Sequence, residues 1–120
     1  MIFNVTGGGG VTIKNVWQNA SPISNFSAQT VSVTIPANAM VMVFASWSTE
    51  DASNVICGFA SVGERGRVYT QWNDRAGRLF TVSTTGVAFQ SGMYGSKTDS
   101  LAANNAYIIP QAIYVIKGVQ

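Results

Sequence analysis

Short stretches in which apolar and polar residues alternate run through the whole chain, and they predict β-strands. In Thr30–Ile35 the apolar residues Val31, Val33 and Ile35 occupy every second position, which is the pattern of a strand with one buried face. Turn residues separate such stretches about every 8–12 residues. No helical periodicity of useful length occurs beyond a possible single turn at Ser100–Asn104. The pattern predicts an all-β fold, an antiparallel β-sandwich or jelly roll of about eight or nine short strands.

Two stretches are apolar at consecutive positions, and this predicts strands at the centre of a sheet. They are Met40–Trp47 and the end of the chain, Asn105–Val119. Pro110 has no N–H to donate to a neighbouring strand, so we expect a β-bulge or a break there. We therefore predict that the two stretches lie close to each other, with the C-terminal strand closing the sandwich.

The middle of the chain has the pattern of a β-meander. Arg67–Trp72, Arg78–Ser83 and Val87–Gln90 are strand-like, and the segments between them are short and rich in turn residues. Ser91–Asn105 is interpreted as a long polar connection to the last strand.

The domain prediction is an N-terminal arm with a glycine hinge over residues 1–10 and a single β-sandwich domain over residues 11–120. Gly7–Gly10 is unlike a phosphate-binding loop, because a strand follows and no Lys-Ser/Thr pair does. We interpret Met1–Gly10 as a segment that attaches the domain to a neighbour.

The composition excludes several classes of function. Only 10% of the residues are charged and the formal net charge is +2, which argues against a nucleic-acid-binding protein. The chain has no histidine, and it therefore lacks the commonest general base and metal ligand. Glu50 and Asp51 together are interpreted as a solvated turn rather than a cation site, because Ca²⁺ prefers six or more oxygen ligands. We predict no enzymatic activity, no metal and no cofactor.

The single cysteine, Cys57, lies among apolar residues and is predicted to be a small buried side chain. No apolar run reaches the roughly 18–20 residues of a membrane span, so membrane insertion is not expected. The N-terminus lacks the pattern of a signal peptide.

The candidate contact surface is the polar side of the meander. Arg and Tyr beside a Trp are residue types that bind sugars or other proteins. The alternative interpretation is a solvated sheet face with cross-strand ion pairs. The candidate residues are Arg67, Tyr69, Gln71, Trp72, Asp74, Arg75 and Arg78, with Arg65 beside them.

Glu64 and Asp74 are a poor glycosidase pair, because both fall in turns and such a pair must face each other across a cleft. Trp17, Trp47 and Phe44 lie in alternating strands and are predicted to be core residues rather than ligand platforms.

A series of short motifs resembles a small all-β domain of tail-fibre-like virion structural proteins of phages and prophages, mainly of Gram-positive bacteria. The motifs span most of the chain in order. They are Phe3–Gly10, Trp17–Pro22, Phe26–Val33, Gly77-Arg78, Thr85–Phe89, Ile109-Pro110 and Ile113–Val119.

This resemblance implies a non-enzymatic virion structural protein of the tail-fibre, receptor-binding or head-decoration type. It also implies a homo-oligomer, with a trimer favoured, that contacts other virion proteins and is made in the bacterial cytoplasm. One alternative is a carbohydrate-binding module that recognises host-surface glycans, which would need exposed aromatic side chains. The other is a small glycosidase or protease domain, which would need a deep pocket around Glu64 or Asp74.

Overall fold

The computed structural model of the protein describes residues 2–5, 9–71 and 74–119. Within these residues all regular structure is β, so the predicted fold class is confirmed. The eleven strands are β1 (Ile2–Val5), β2 (Gly9–Gln18), β3 (Gln29–Ser32), β4 (Met40–Ser48), β5 (Asp51–Ser61), β6 (Arg65–Gln71), β7 (Arg75–Ser83), β8 (Gly86–Phe89), β9 (Met93–Gly95), β10 (Ala102–Ala103) and β11 (Tyr107–Val119). The number exceeds the predicted eight or nine because β9 and β10 lie within the segment that was predicted to be a polar connection.

The strands form two antiparallel sheets that pack face to face as a sandwich. One has five strands in the order β1-β2-β11-β4-β5. The other has six, with β10-β9-β7-β8-β3 in order and β6 paired with β7. Strand β7 pairs with β6 along one side and with both β8 and β9 along the other.

The last strand, β11, lies at the centre of the five-stranded sheet, between β2 and β4. Its predicted proximity to Met40–Trp47 is confirmed by direct pairing with β4. The register shifts between Pro110 and Ala112, which confirms the bulge predicted at Pro110. The side chain of Gln111, within the bulge, donates hydrogen bonds to Ser46 Oγ at 2.9 Å and to the Ile109 carbonyl at 3.1 Å. The extra residue of the bulge, Gln111, therefore stabilises the bulge through its own side chain.

The core lies between the inward-facing residues of the two sheets. Val43 and Ile113 come from the five-stranded sheet, Val68 and Phe80 come from the other, and all four are essentially inaccessible to solvent. Trp17 packs against this core, as predicted. Its ring centroid lies 6.1 Å from that of Phe26 and 6.5 Å from that of Phe89.

Two of the predicted core residues lie on the opposite side of the five-stranded sheet. Phe44 is only half-buried, and Cys57, its partner on β5, is exposed. The predictions that they are buried are therefore wrong. Both strands are apolar on both faces, but the six-stranded sheet covers only one of those faces. The alternation that buries Val43 places Phe44 on the uncovered side.

The N-terminal strand β1 pairs with the beginning of β2, from Ile2 opposite Thr12 to Val5 opposite Gly9. The pairing of β4 ends where Met40 lies opposite Ile116, while β11 continues beside β2 to Val119. The three strands β1, β2 and β11 therefore extend past β4, in a molecule that measures 51 × 25 × 25 Å. Gly7 and Gly8 of the predicted hinge lie outside the described residues.

Candidate contact surfaces

The predicted contact residues Arg67, Tyr69 and Gln71 lie together on strand β6, at the outer side of the six-stranded sheet. The Arg67 guanidinium carbon lies 4.6 Å from the centroid of the Tyr69 ring. The Tyr69 hydroxyl donates a hydrogen bond to Gln71 Oε1 at 3.1 Å. Tyr69 pairs with Gly77 on β7, and a Cβ atom at Gly77 would lie 3.0 Å from Tyr69 Cδ2. The glycine therefore leaves room for the aromatic ring close to the sheet.

Beside Tyr69 the same surface forms a groove of about 640 Å³, which we call the Tyr69 groove. Its volume lies within the usual range of small-molecule sites. Apolar side chains predominate among its lining residues, and a few polar groups accompany them. The lining residues are Ala28, Arg67, Tyr69, Gly77, Arg78, Leu79, Phe89, Gln90, Ser91, Met93, Leu101 and Ala103.

The chemistry of the Tyr69 groove suits an apolar or amphipathic ligand with a polar group that reaches Arg67. One face of the Tyr69 ring is covered by the Arg67 guanidinium, so a sugar can stack there only if Arg67 turns away. Among the described residues, no group of three or more Cys, Asp or Glu is placed to hold a metal ion.

The predicted contact residues Asp74 and Arg75 are engaged elsewhere, at one end of the sandwich. Asp74 Oδ2 accepts a hydrogen bond from the Tyr94 hydroxyl at 2.9 Å. Arg75 Nη2 donates to the carbonyl of Asp99. Both residues are half-buried and therefore hold the β9–β10 segment against β7 rather than presenting free charges to a partner.

Tyr94 belongs to an aromatic cluster with Trp47 and Tyr107. The rings of Tyr94 and Tyr107 are stacked at 3.9 Å with an angle of 20° between their planes, and Trp47 meets both edge-on. The hydrogen bond to the Asp74 carboxylate raises the pKa of Tyr94 to about 12, because it stabilises the protonated phenol. Trp47 thus packs at the border of the core. The alternation along the strands did not predict that it would contact Tyr94 and Tyr107.

The seventh predicted contact residue, Arg78, is buried, with only 1% of its surface exposed. Its assignment to an exposed contact face is therefore wrong. Arg78 Nε donates to the Ile108 carbonyl and Nη1 to the Gln90 carbonyl, both at 2.7 Å, and Nη2 donates to the Tyr107 carbonyl at 3.1 Å. Its guanidinium carbon lies 5.3 Å from the centroid of the Phe26 ring. Burial lowers the pKa of Arg78 to about 10, so the side chain remains charged at neutral pH.

Two of the carbonyls that Arg78 binds, those of Tyr107 and Ile108, lie at a residue with an unusual backbone conformation. Ile108 has a φ of 51°, in the left-handed region that a β-branched residue rarely adopts. Such a conformation persists only where the surrounding structure holds it. Two of the three Arg78 hydrogen bonds act at this point, on the Tyr107 and Ile108 carbonyls. Arg78 therefore joins the six-stranded sheet to the start of β11 in the other sheet.

The remaining sequence candidates do not form a site in the described part of the chain. Trp72 lies outside the described residues, so its contribution to a contact surface stays a prediction. Glu64 and Asp74 lie at opposite ends of the β6–β7 hairpin, and the seven residues of β6 separate them by roughly 20 Å. A glycosidase pair requires a separation of about 5–9.5 Å, so these two carboxylates cannot act together.

The side of the five-stranded sheet that faces away from the core is a second surface, and it was not predicted. We call it the outer face. Val55 is 50%, Phe59 49% and Met40 41% exposed. The Phe44 and Tyr114 rings meet edge-on, with centroids 5.5 Å apart. The residues of the outer face are Ile13, Asn15, Met40, Met42, Phe44, Val55, Cys57, Phe59, Tyr114 and Ile116; Ser46, on the same side of β4, is fully buried beneath Gln111.

Some of these residues carried a signal in the sequence. Met40–Trp47 and Ala112–Ile116 are apolar on both faces, and this pattern can also mean a strand whose second face awaits a partner. Met93 and Leu101 of the Tyr69 groove carried none, because the strands of their segment are only two and three residues long and show no alternation.

Comparisons with protein-family models, with curated proteins and with solved structures found no match to this chain. Within the described residues there is no helix long and apolar enough to cross a membrane.

Proposed function

We propose that this chain is a non-enzymatic structural component of a phage or prophage virion that works as a homo-oligomer, with a trimer favoured. The outer face carries this proposal. An apolar sheet face with side chains such as Val55 and Phe59 half-exposed is typical of a surface that another protein covers. The resemblance of the motifs from Trp17 to Val119 to tail-fibre-like domains supports the virion assignment.

The projecting strands fit the same proposal. Strands β1, β2 and β11 extend past β4 and provide a segment through which the domain attaches to a neighbouring virion protein. Strand β1 is at the edge of its sheet, and an edge strand can pair with a strand of another chain.

Two measurements test this function. The mass in solution, measured by light scattering during gel filtration, is expected to be three times the 12.7 kDa of one chain. Peptides of the chain are expected in phage particles purified from a lysate of the strain that carries the gene. A 12.7 kDa species at micromolar concentration would contradict the oligomer. The presence of the chain only in the soluble fraction, away from the particles, would contradict the virion assignment.

A second candidate function is the recognition of host-surface carbohydrate, and the Tyr69 groove favours it. Its volume suits a sugar that stacks on Tyr69 once the Arg67 guanidinium has turned away from the ring and that accepts hydrogen bonds from this guanidinium. A glycan array probed with the purified protein tests this function. Binding is expected to disappear in Tyr69→Ala and to persist in Thr81→Ala, an exposed position on the same sheet. The absence of any bound glycan would leave the virion proposal intact and remove this one.

A further inference from the structure

We infer that the outer face is the surface through which copies of this chain contact each other. This inference rests on the proposed function, since it names the interface of the proposed homo-oligomer. It differs from the seven-residue contact surface that the sequence predicted, which lies mainly on the other sheet.

The first argument is the distribution of charge. In the described part of the chain, Asp51 at the beginning of β5 is the one charged residue on this side of the paired strands β2, β11, β4 and β5, and the centre of the outer face carries no charge. Equivalent surfaces meet in a two-fold dimer, and in a trimer the residues next to the three-fold axis lie near their own copies, so a charge at either place would face the same charge. The outer side of the six-stranded sheet carries Arg65 and Arg67, and it would repel itself. The outer face can approach a second copy without that repulsion.

The second argument is the arrangement of apolar centre and polar rim. Met42 lies between Tyr114 on one neighbouring strand and Phe59 on the other, so the centre of the outer face is aromatic and aliphatic. At one end of the outer face Asp51 begins β5, and its carboxylate accepts a hydrogen bond from Ser53 Oγ at 3.2 Å. Interfaces between identical subunits have an apolar centre, enriched in aromatic residues and Met, surrounded by a polar rim.

The third argument is area. The nine residues of β4 span about 30 Å, and the four strands β2, β11, β4 and β5 span about 19 Å across. The flat projection of the outer face is therefore about 570 Å² per copy, and the pleat and side chains increase its accessible area. Two such faces together reach the lower end of the roughly 1,200–2,000 Å² that stable protein interfaces bury. A trimer satisfies the same geometry by turning three outer faces toward a common axis.

A distinct partner protein is a weaker explanation. Recognition of a different protein generally uses complementary charge to select that partner, and the centre of the outer face offers none. A second copy needs no such selection, because it is present wherever the chain is made.

The test compares two charge substitutions on opposite sides of the sandwich. Phe59→Glu places a carboxylate in the outer face, at a side chain that is half-exposed, so the fold should persist. The matched control, Thr81→Glu, places the same charge on the exposed side of the six-stranded sheet. Phe59→Glu is expected to reduce the mass in solution to the 12.7 kDa of a single chain, while Thr81→Glu keeps the mass of the wild-type assembly. Val55→Lys replaces Phe59→Glu if the latter fails to give a cooperative thermal transition.

A second readout uses Cys57, the only cysteine of the chain, which is part of the outer face. A water-soluble maleimide is expected to label the thiol at the rate of a free cysteine in the single-chain variant and much more slowly in the wild-type assembly.

Three other results would overturn the inference. In the first, both the wild type and Phe59→Glu assemble, and the maleimide labels Cys57 in the wild-type assembly at the rate of a free cysteine. The copies then contact elsewhere, so the inference fails and the proposed oligomer stands. A wild-type protein that is monomeric overturns both the inference and the oligomer. Protection of Cys57 only on addition of purified particles would assign the outer face to another virion protein and also overturn the inference.

Discussion

Truncation of Arg78 should destabilise the fold more than any change at the other arginines. Arg78→Ala removes three hydrogen bonds that a charged donor makes to the carbonyls of Ile108, Gln90 and Tyr107. Hydrogen bonds from a charged group contribute about 1.5–3 kcal/mol each. The cost of burying the charge, which also lowers the pKa of Arg78, offsets part of that sum. Each buried carbonyl that loses its donor costs about 1–3 kcal/mol, and for three such carbonyls we expect a loss of about 4 kcal/mol in the free energy of unfolding.

This loss translates into a large change in melting temperature. An unfolding entropy of about 2.1 cal/mol/K per residue gives about 0.25 kcal/mol/K for 120 residues, so 4 kcal/mol corresponds to about 16 °C. Circular dichroism during heating measures the change. Arg78→Lys should fall between the wild type and Arg78→Ala, because an ammonium group keeps the charge but cannot span three carbonyls.

The matched control is Arg67→Ala, because Arg67 is exposed and its guanidinium lies over Tyr69 at the surface. Its effect should be below about 1 kcal/mol. The reasoning is refuted if Arg78→Ala melts within about 4 °C of the wild type. It is equally refuted if Arg67→Ala loses as much stability as Arg78→Ala.

Three further changes probe other contacts. Asp74→Asn should lower the pKa of Tyr94 from about 12 toward 10, and ultraviolet titration of tyrosinate measures this change. In the wild type, the hydrogen bond of Tyr94 contributes to stability below pH 10, and this contribution is lost as the pH rises through about 12. Gly58→Ala should cost about 2 kcal/mol or more in a denaturant titration, because its Cβ would lie 2.4 Å from the Arg67 carbonyl oxygen, whereas Gly118→Ala, with nothing within 4 Å, should have an effect below about 0.5 kcal/mol. Deletion of residues 112–119 should abolish folding, because it removes the central strand from both of its neighbours; a soluble truncated protein with a cooperative melt would contradict this.

The sequence predicted the fold class, the central position of the last strand and the bulge at Pro110. These features follow from a two-residue periodicity and from the missing N–H of proline, both of which are local properties. Strands β9 and β10 were not predicted, because they are only three and two residues long and depend on pairing with distant residues, β9 with β7 and β10 with β9.

Arg78 shows why the candidate site was harder to predict than the fold. Alternation along β7 places Arg78 on the same side as Phe80 and Val82, which face the core, whereas its charge suggested the surface. The buried position wins because three carbonyls on other segments of the chain lie where the guanidinium reaches them. No pattern within β7 encodes those partners. Cys57 was wrongly placed for a related reason, since apolar neighbours indicate a strand but not which of its faces the rest of the chain covers.

The central position of β11 has a consequence for the timing of folding during synthesis. Strands β2 and β4 flank β11, so each has one unpaired edge until β11 has been made. The 59 residues from Thr49 to Tyr107 take roughly 3–12 s to synthesise at about 5–20 residues per second. During that interval two long apolar strands have open edges, which are the features that lead to non-native pairing between nascent chains. The rate at which the ribosome completes the chain should therefore affect the yield of folded protein more than the stability of the finished sandwich does.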